Sequence, residues 1–184
     1  ILGRFLPRAQ LGGYAMASDL SGVALQAVAT PLEGPVYAAY AAHRRAGADL
    51  AAAHLKAANA TLALVGPALV GLSMLAAPLV ALLLGPKWTE TAALLGWLPL
   101  AYLANLPVFH LGGLAIILDR QRIHAERVLI EAALLLPAMA AGAMIAGVWG
   151  VVAARLGASV VMLIVGFALV RRLIGVSVVR QFAA

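Results

Sequence analysis

Residues 128–170 read VLIEAALLLPAMAAGAMIAGVWGVVAARLGASVVMLIVGFALV, and within them only Glu131 and Arg155 carry charge. A soluble helix needs a polar face, and this run has none of useful width. A bilayer core about 30 Å thick takes about 20 helical residues at 1.5 Å each. The run is therefore long enough for two crossings, with Gly147-Val148-Trp149-Gly150 as the turn between them.

The same pattern extends outward in both directions. Five stretches meet the length requirement, at about 13–42, 58–84, 89–118, 123–146 and 151–170. The gaps between them are His43–Ala57, Gly85–Trp88, Asp119–Arg122 and Gly147–Gly150. The expected fold is all-α, a polytopic membrane helical bundle of five transmembrane helices. Composition agrees: 64% of the 184 residues are apolar and 11% charged, against about 45–50% and about 25% in soluble domains. Soluble, disordered and collagen-like classes are excluded. The absence of cysteine excludes disulfides, thiol nucleophiles and Cys-ligated metals. The chain begins at Ile1, and no cleavable leader pattern precedes the first span. Residues 1–184 are thus expected to form a single partial domain, the C-terminal bundle of a protein whose N-terminal helices are missing.

The net charge of +6 is read as topology before partnership. No Lys/Arg cluster interleaved with aromatics lies on a polar face, so no nucleic-acid partner is expected. Taking sides alternately, one side holds Arg44, Arg45, Lys56, Arg120, Arg122, Arg127, Arg171, Arg172 and Arg180. The other holds Arg4, Arg8 and Lys87, with Arg155 as a possible fourth. This asymmetry places the first side, and the C-terminus, in the cytoplasm. Trp88 and Trp149 then fall at the outer ends of their spans. Ala48–Ala58, with Arg45 and Asp49 four apart, reads as a surface helix leading into the second span. The basic tail from Arg171 to Arg180 suits anionic membrane lipids.

The first span carries the clearest functional signal. Asp19, Gln26, Thr30, Glu33 and Tyr37 lie at offsets 0, 7, 11, 14 and 18. At 100° per residue they fall within about 40° of one line. A charge at mid-bilayer costs at least about 2.5–3.5 kcal/mol, so this stripe is expected to line a water-filled path. The bland alternative is an interhelical hydrogen-bond seam. Pro31 and Pro35 flank Glu33 and remove two backbone donors, which predicts a kink or loosening.

A second stripe, Arg120, His124, Arg127 and Glu131, occupies one face of the fourth span at offsets 0, 4, 7 and 11. Basic at its mouth and acidic one turn deeper, it suits a polyanionic headgroup arriving from the cytoplasm. The alternative is snorkelling side chains, with Glu131 neutralised by Arg127. Arg155 can snorkel outward or pair with a cavity carboxylate. His110 has no second histidine at ligand spacing, and a packed, hydrogen-bonded role is expected. Pro99 and Pro107 predict kinks in the third span. Ala138, Gly142 and Ala146, with Ala153 and Gly157, predict close contact between the last two spans. No nucleophile elbow, zinc-protease, P-loop or dinucleotide motif occurs. A non-enzyme without cofactor or metal is expected.

Five stretches taken together resemble a known family. They are Leu11-Gly-Gly-Tyr-Ala-Met-Ala-Ser-Asp19; Thr30-Pro31; Leu75-Ala-Ala-Pro-Leu-Val-Ala-Leu-Leu-Leu-Gly-Pro-Lys-Trp88; Asp119-Arg120; and Gly147-Val-Trp-Gly-Val-Val-Ala-Ala154. In order and spacing they resemble the C-terminal part of bacterial lipopolysaccharide and exopolysaccharide flippases, of the multidrug/oligosaccharidyl-lipid/polysaccharide exporter superfamily. The family pattern has Phe-Pro at Thr30-Pro31 and Gly-Arg at Asp119-Arg120.

The resemblance implies a twelve- to fourteen-helix, two-bundle transporter of the bacterial inner membrane. Its substrate would be a polyprenyl-pyrophosphate-linked oligosaccharide, moved to the outer leaflet by alternating access. Within this reading Asp19, Gln26, Thr30, Glu33 and Tyr37 line the glycan path, and Arg120, His124, Arg127 and Glu131 attract the headgroup. Three other readings are a cation-coupled multidrug antiporter of the same superfamily, a non-catalytic membrane scaffold subunit, and a membrane glycosyltransferase. Short loops weigh against the last.

Overall fold

The computed structural model describes residue 3 and residues 5–175. Arg4 and Arg180, both used in the charge count, lie outside the described residues, as does the tail beyond Gly175. All regular structure among the described residues is helical. The helices are α1 (Arg8–Arg45), α2 (Leu50–Met74), α3 (Ala76–Leu83), α4 (Thr89–Asn105), α5 (Leu111–Ile117) and α6 (Gln121–Ile174). Single 3-10 turns, Pro86–Trp88 and Leu106–Val108, lead into α4 and out of it.

Three helical stretches are long and apolar enough to cross a membrane: Leu50–Met74, Pro86–Ile117 and Gln121–Ile174. The last holds 54 residues, about 81 Å if straight, nearly three bilayer cores. It is not straight. Ala146 (φ −138°, ψ 23°) and Gly147 (φ 58°, ψ −139°) leave helical geometry and fold it into two antiparallel arms. The expected four-residue turn at 147–150 is thus compressed into two residues. The arms meet at Gly142 and Gly150, where a Cβ on either would run into the other's backbone carbonyl. Close contact between these spans was expected, but the partner of Gly142 is Gly150. Gly157 faces open space.

Proline positions set the other interruptions. Pro78 cannot donate to the Met74 carbonyl, and the helix breaks at Leu75 (φ −92°, ψ 10°) between α2 and α3. Pro107 has the same effect on the third rod, where α4 ends at Asn105 and α5 begins at Leu111. Pro99 lies inside α4 without ending it. Pro31 and Pro35 likewise sit inside an unbroken 38-residue α1, so the expected loosening beside Glu33 does not interrupt the helix.

The expected surface helix at 48–58 is also absent as a separate element. Asp49 accepts the Ala51 N–H at 2.8 Å and starts α2 at Leu50, eight residues before the expected span. Asp49 therefore sits outside α1, and the expected Arg45–Asp49 helical pair does not form.

Helix α4 is the central post. Leu94, Leu95 and Leu98 are buried, and α4 touches α1, α2, α3 and α6. One core cluster joins Tyr14 and Ala17 of α1, Val80 of α3, Leu95 of α4, and Ala143 and Val151 of α6. A second lies at the opposite end, where Tyr40, Ala53, Leu114 and Ile117 pack with Leu118, Leu173 and Ile174. In lipid, apolar contact alone gives little drive for helix association, so polar ties matter more. Tyr40 OH meets His54 Nδ1 at 2.9 Å and joins α1 to α2. Thr61 Oγ1 meets His110 Nε2 at 2.7 Å and joins α2 to the start of α5. Ser73 Oγ donates to the Gly96 carbonyl and joins α2 to α4.

The two ends differ in charge. Arg44, Arg45, Arg120, Arg122, Arg171 and Arg172 gather where α1, α5 and α6 end or begin. Arg8 and Lys87 sit at the other end, near Trp88 and Trp149. The alternation of sides inferred from the gaps is thus the alternation of the rods.

Candidate functional site

The two polar stripes do not remain two stripes. Glu33 and Tyr37 of α1 line a groove of about 510 Å³, with Phe109, His110, Gly112 and Gly113 as its floor. The opposite wall is His124 of α6. The imidazole of His124 stands 3.0 Å from where a Cβ on Gly112 would lie, so the glycine makes room for the ring. Buried His124 Nδ1 has no hydrogen-bond partner. Glu33 is exposed, and Tyr37 is 44% exposed. The groove thus offers a carboxylate, a phenol, an unused imidazole nitrogen and two aromatic faces, a set able to stack on and hydrogen-bond a polyhydroxyl ligand.

Asp19, Gln26 and Thr30 are exposed on the same side of α1 and line neither this groove nor the pocket described next. Nothing among the described residues covers them. Arg120 is exposed at the start of α6, outside both this groove and the pocket described next.

Arg127 and Glu131, three and seven residues beyond His124, face a different space. They line a pocket of about 110 Å³ between α4 and the two arms of α6, together with Tyr102, Asn105, Arg155 and Ser159. The expected Arg127–Glu131 ion pair is not made among the described residues, and buried Arg127 Nε has no partner. Arg155 takes neither of its expected fates. It donates to Tyr102 OH at 2.9 Å, with its guanidinium 5.1 Å from the centroid of that ring. Tyr102 OH lies 3.9 Å from where a Cβ on Gly22 would be, so α1 borders this tie. Asn105 Nδ2 donates to the Ser159 carbonyl at 3.3 Å and fixes the second arm of α6, while buried Asn105 Oδ1 has no partner.

Sequence periodicity found Glu33, Tyr37, His124, Arg127 and Glu131. It missed Tyr102, Asn105 and Ser159, which form no stripe longer than two residues on mostly apolar helices. Their signal was the i,i+3 spacing of Tyr102 and Asn105 and the i,i+4 spacing of Arg155 and Ser159. His110 takes the packed, hydrogen-bonded role expected of it.

At the highly charged end, Arg44 donates to Asp119 Oδ2 at 2.6 Å and to the Ile117 carbonyl. This ties the end of α1 to the α5–α6 turn, beside the groove. Asp119 has φ 57°, the left-handed region that glycine enters most readily.

A profile of the family described as polysaccharide biosynthesis protein matches residues 1–93. That is half of the chain, covering α1 through the start of α4 and including Glu33 and Tyr37. No curated protein and no solved structure matches it. A bundle of long apolar helices with this match over its first half is a membrane protein, and the chain belongs to the polysaccharide biosynthesis protein family.

Proposed function

We propose that the protein moves a polyprenyl-pyrophosphate-linked oligosaccharide across the bacterial inner membrane and catalyses no covalent chemistry. The observation that carries this reading is the groove shared by Glu33 and Tyr37 of α1 and His124 of α6. Its polar groups sit among long apolar helices. Such groups are costly in hydrocarbon and are expected where water or a polar solute passes. Family membership in polysaccharide biosynthesis supports a glycan as that solute.

In this reading α1, α2 with α3, α4 with α5, and each arm of α6 cross the membrane once. The arginine-rich end faces the cytoplasm, as does the C-terminus. The exposed row Asp19, Gln26 and Thr30 continues the path beyond the groove, toward a second bundle supplied by the missing N-terminal helices of the same protein.

The test replaces Glu33 and Asp19 together by Ala in the intact protein and measures polymer export in cells. Export is expected to fall at least tenfold while the protein stays in the membrane. Wild-type export would remove the α1 stripe from the mechanism. Ion-coupled efflux of small cations, with export unaffected, would instead favour the antiporter reading.

A further inference from the structure

The end of the bundle away from the arginine cluster holds another set of polar and aromatic groups. Pro86 starts a single 3-10 turn that presents Lys87 and Trp88, and Glu90 and Thr91 follow in the first turn of α4. The reversal at Ala146–Gly147 brings Val148 and Trp149 to the same end. Gln10 arrives from the start of α1. Together these elements enclose two adjoining hollows. One, of about 330 Å³, has Lys87, Trp88 and Thr91 in its wall. The other, of about 150 Å³, has Trp149. Gln10 and Glu90 line both, so an amide and a carboxylate stand between two indoles. The larger hollow lies at the lower end of the range for small-ligand sites, about 300–1,000 Å³.

Tryptophan at a membrane surface needs only lipid headgroups for company. Three observations go beyond that. Thr91 is 2% exposed, lines the larger hollow, and its side chain has no hydrogen-bond partner among the described residues. Gly13 lines the same hollow, and a Cβ there would lie 2.9 Å from Thr91 Oγ1, so the missing side chain leaves that hydroxyl uncrowded. Gln10, Lys87 and Glu90 are also unpartnered among the described residues, and Lys87 and Glu90 make no ion pair despite their i,i+3 spacing.

The chemistry of these groups selects the guest. The charges of Lys87 and Glu90 cancel, which favours neither an anion nor a cation. The carboxylate accepts hydrogen bonds, the ammonium donates them, and the amide and hydroxyl do both. A neutral ligand with several hydroxyls uses all four. The C–H face of a sugar ring is apolar, and its hydrogens suit the negative face of an indole.

We propose that this cleft binds neutral sugar units, stacked on Trp88 and Trp149 and hydrogen-bonded by Gln10, Lys87, Glu90 and Thr91. In the orientation proposed above it faces outward, at the far end of the bundle from the groove of Glu33 and Tyr37. As the station where a glycan leaves it rests on the export reading; as a sugar site it does not.

The experiment uses the intact protein in phosphatidylcholine nanodiscs and saturation-transfer NMR titrations. The probes are maltose, lactose and chitobiose, with sorbitol, which has hydroxyls but no ring, as the control. At least one disaccharide should bind saturably and sorbitol should not. Trp149→Ala and Glu90→Ala, at exposed positions, should each weaken binding at least tenfold. Trp149→Phe should keep part of the affinity, since a phenyl ring still offers a face. Gly13→Ala should weaken binding without removing any polar group. Where an alanine variant does not fold, Trp149→Phe and Gln10→Ala carry the test, each binding more weakly than wild type. No saturable binding of any disaccharide, equal binding of sorbitol, or unchanged binding in the Trp149 and Glu90 variants overturns the site. Binding lost in Tyr37→Ala but kept in Trp149→Ala also overturns it, placing the sugar in the groove. Polymer export is measured in the same variants, and wild-type export with sugar binding lost overturns the exit role. Sugar binding at the cleft, with wild-type export in the Glu33 and Asp19 double variant, counts against the export path along α1 and leaves the site standing.

Discussion

Asp119 shows how one residue can settle two demands. Its φ of 57° costs a non-glycine residue roughly 1–2 kcal/mol, least for Asp and Asn. Glycine would take that backbone without the penalty. Aspartate adds a carboxylate for Arg44. Because the pair is largely exposed, it contributes about 0–1 kcal/mol. Asp119→Gly should therefore change stability by less than about 1 kcal/mol, whereas Asp119→Val should lose roughly 1–2 kcal/mol. Thermal unfolding in detergent measures both. Tyr40 is the sharper residue-scale test. Its hydroxyl is the partner of His54 Nδ1, and His54 Nε2 is already unsatisfied in the interior. Tyr40→Phe strands the whole imidazole and should cost about 1–3 kcal/mol by the same assay. Residues of this kind were only partly legible in the sequence. Glu33 and Tyr37 announce themselves by helical period. Asn105 and Ser159 do not, because each has a single polar neighbour at helical spacing and gains meaning only when α6 folds back.

At the scale of elements, hydropathy was a good guide to where rods lie and a poor one to where they start or bend. The expected second span began at Ala58, but the Asp49 cap and the burial of Ala53, His54 and Ala57 carry α2 back to Leu50. Alanine-rich sequence hides this, since alanine suits a surface helix and a close helix contact equally. Prolines were equally ambiguous. Pro78 and Pro107 coincide with breaks, while Pro31, Pro35 and Pro99 do not, because neighbouring helices can hold a proline turn in place. The reversal at Ala146–Gly147 was legible, but its true contact, Gly142 on Gly150, was not. That contact yields a prediction. Gly142→Leu or Gly150→Leu inserts a side chain into backbone and should cost about 1–3 kcal/mol or more. Gly157→Leu, in open space, should cost little. Proteolysis of membrane-inserted variants separates the two outcomes.

At the scale of the whole molecule, the all-helical membrane architecture was readable from composition and run length, because a bilayer imposes both. The division of the polar residues into a groove and a pocket was not readable, since it depends on the rotation of α6 about its own axis. Orientation can be tested directly because the chain contains no cysteine. Single substitutions Arg120→Cys and Lys87→Cys should react with a membrane-impermeant thiol reagent from opposite sides, Arg120→Cys from the cytoplasmic face. Reaction from the reverse faces would invert the topology.

The same reagent tests whether the polar face of α1 is wet. Single cysteines at Asp19, Gln26, Thr30, Glu33 and Tyr37 are compared with cysteines at Leu82 and Ile145, apolar positions 82% and 85% exposed on the bundle surface. The expected result is rapid labelling at all five stripe positions and none at the two apolar ones. Stripe cysteines as inert as those at Leu82 and Ile145 would contradict a water-filled path along α1.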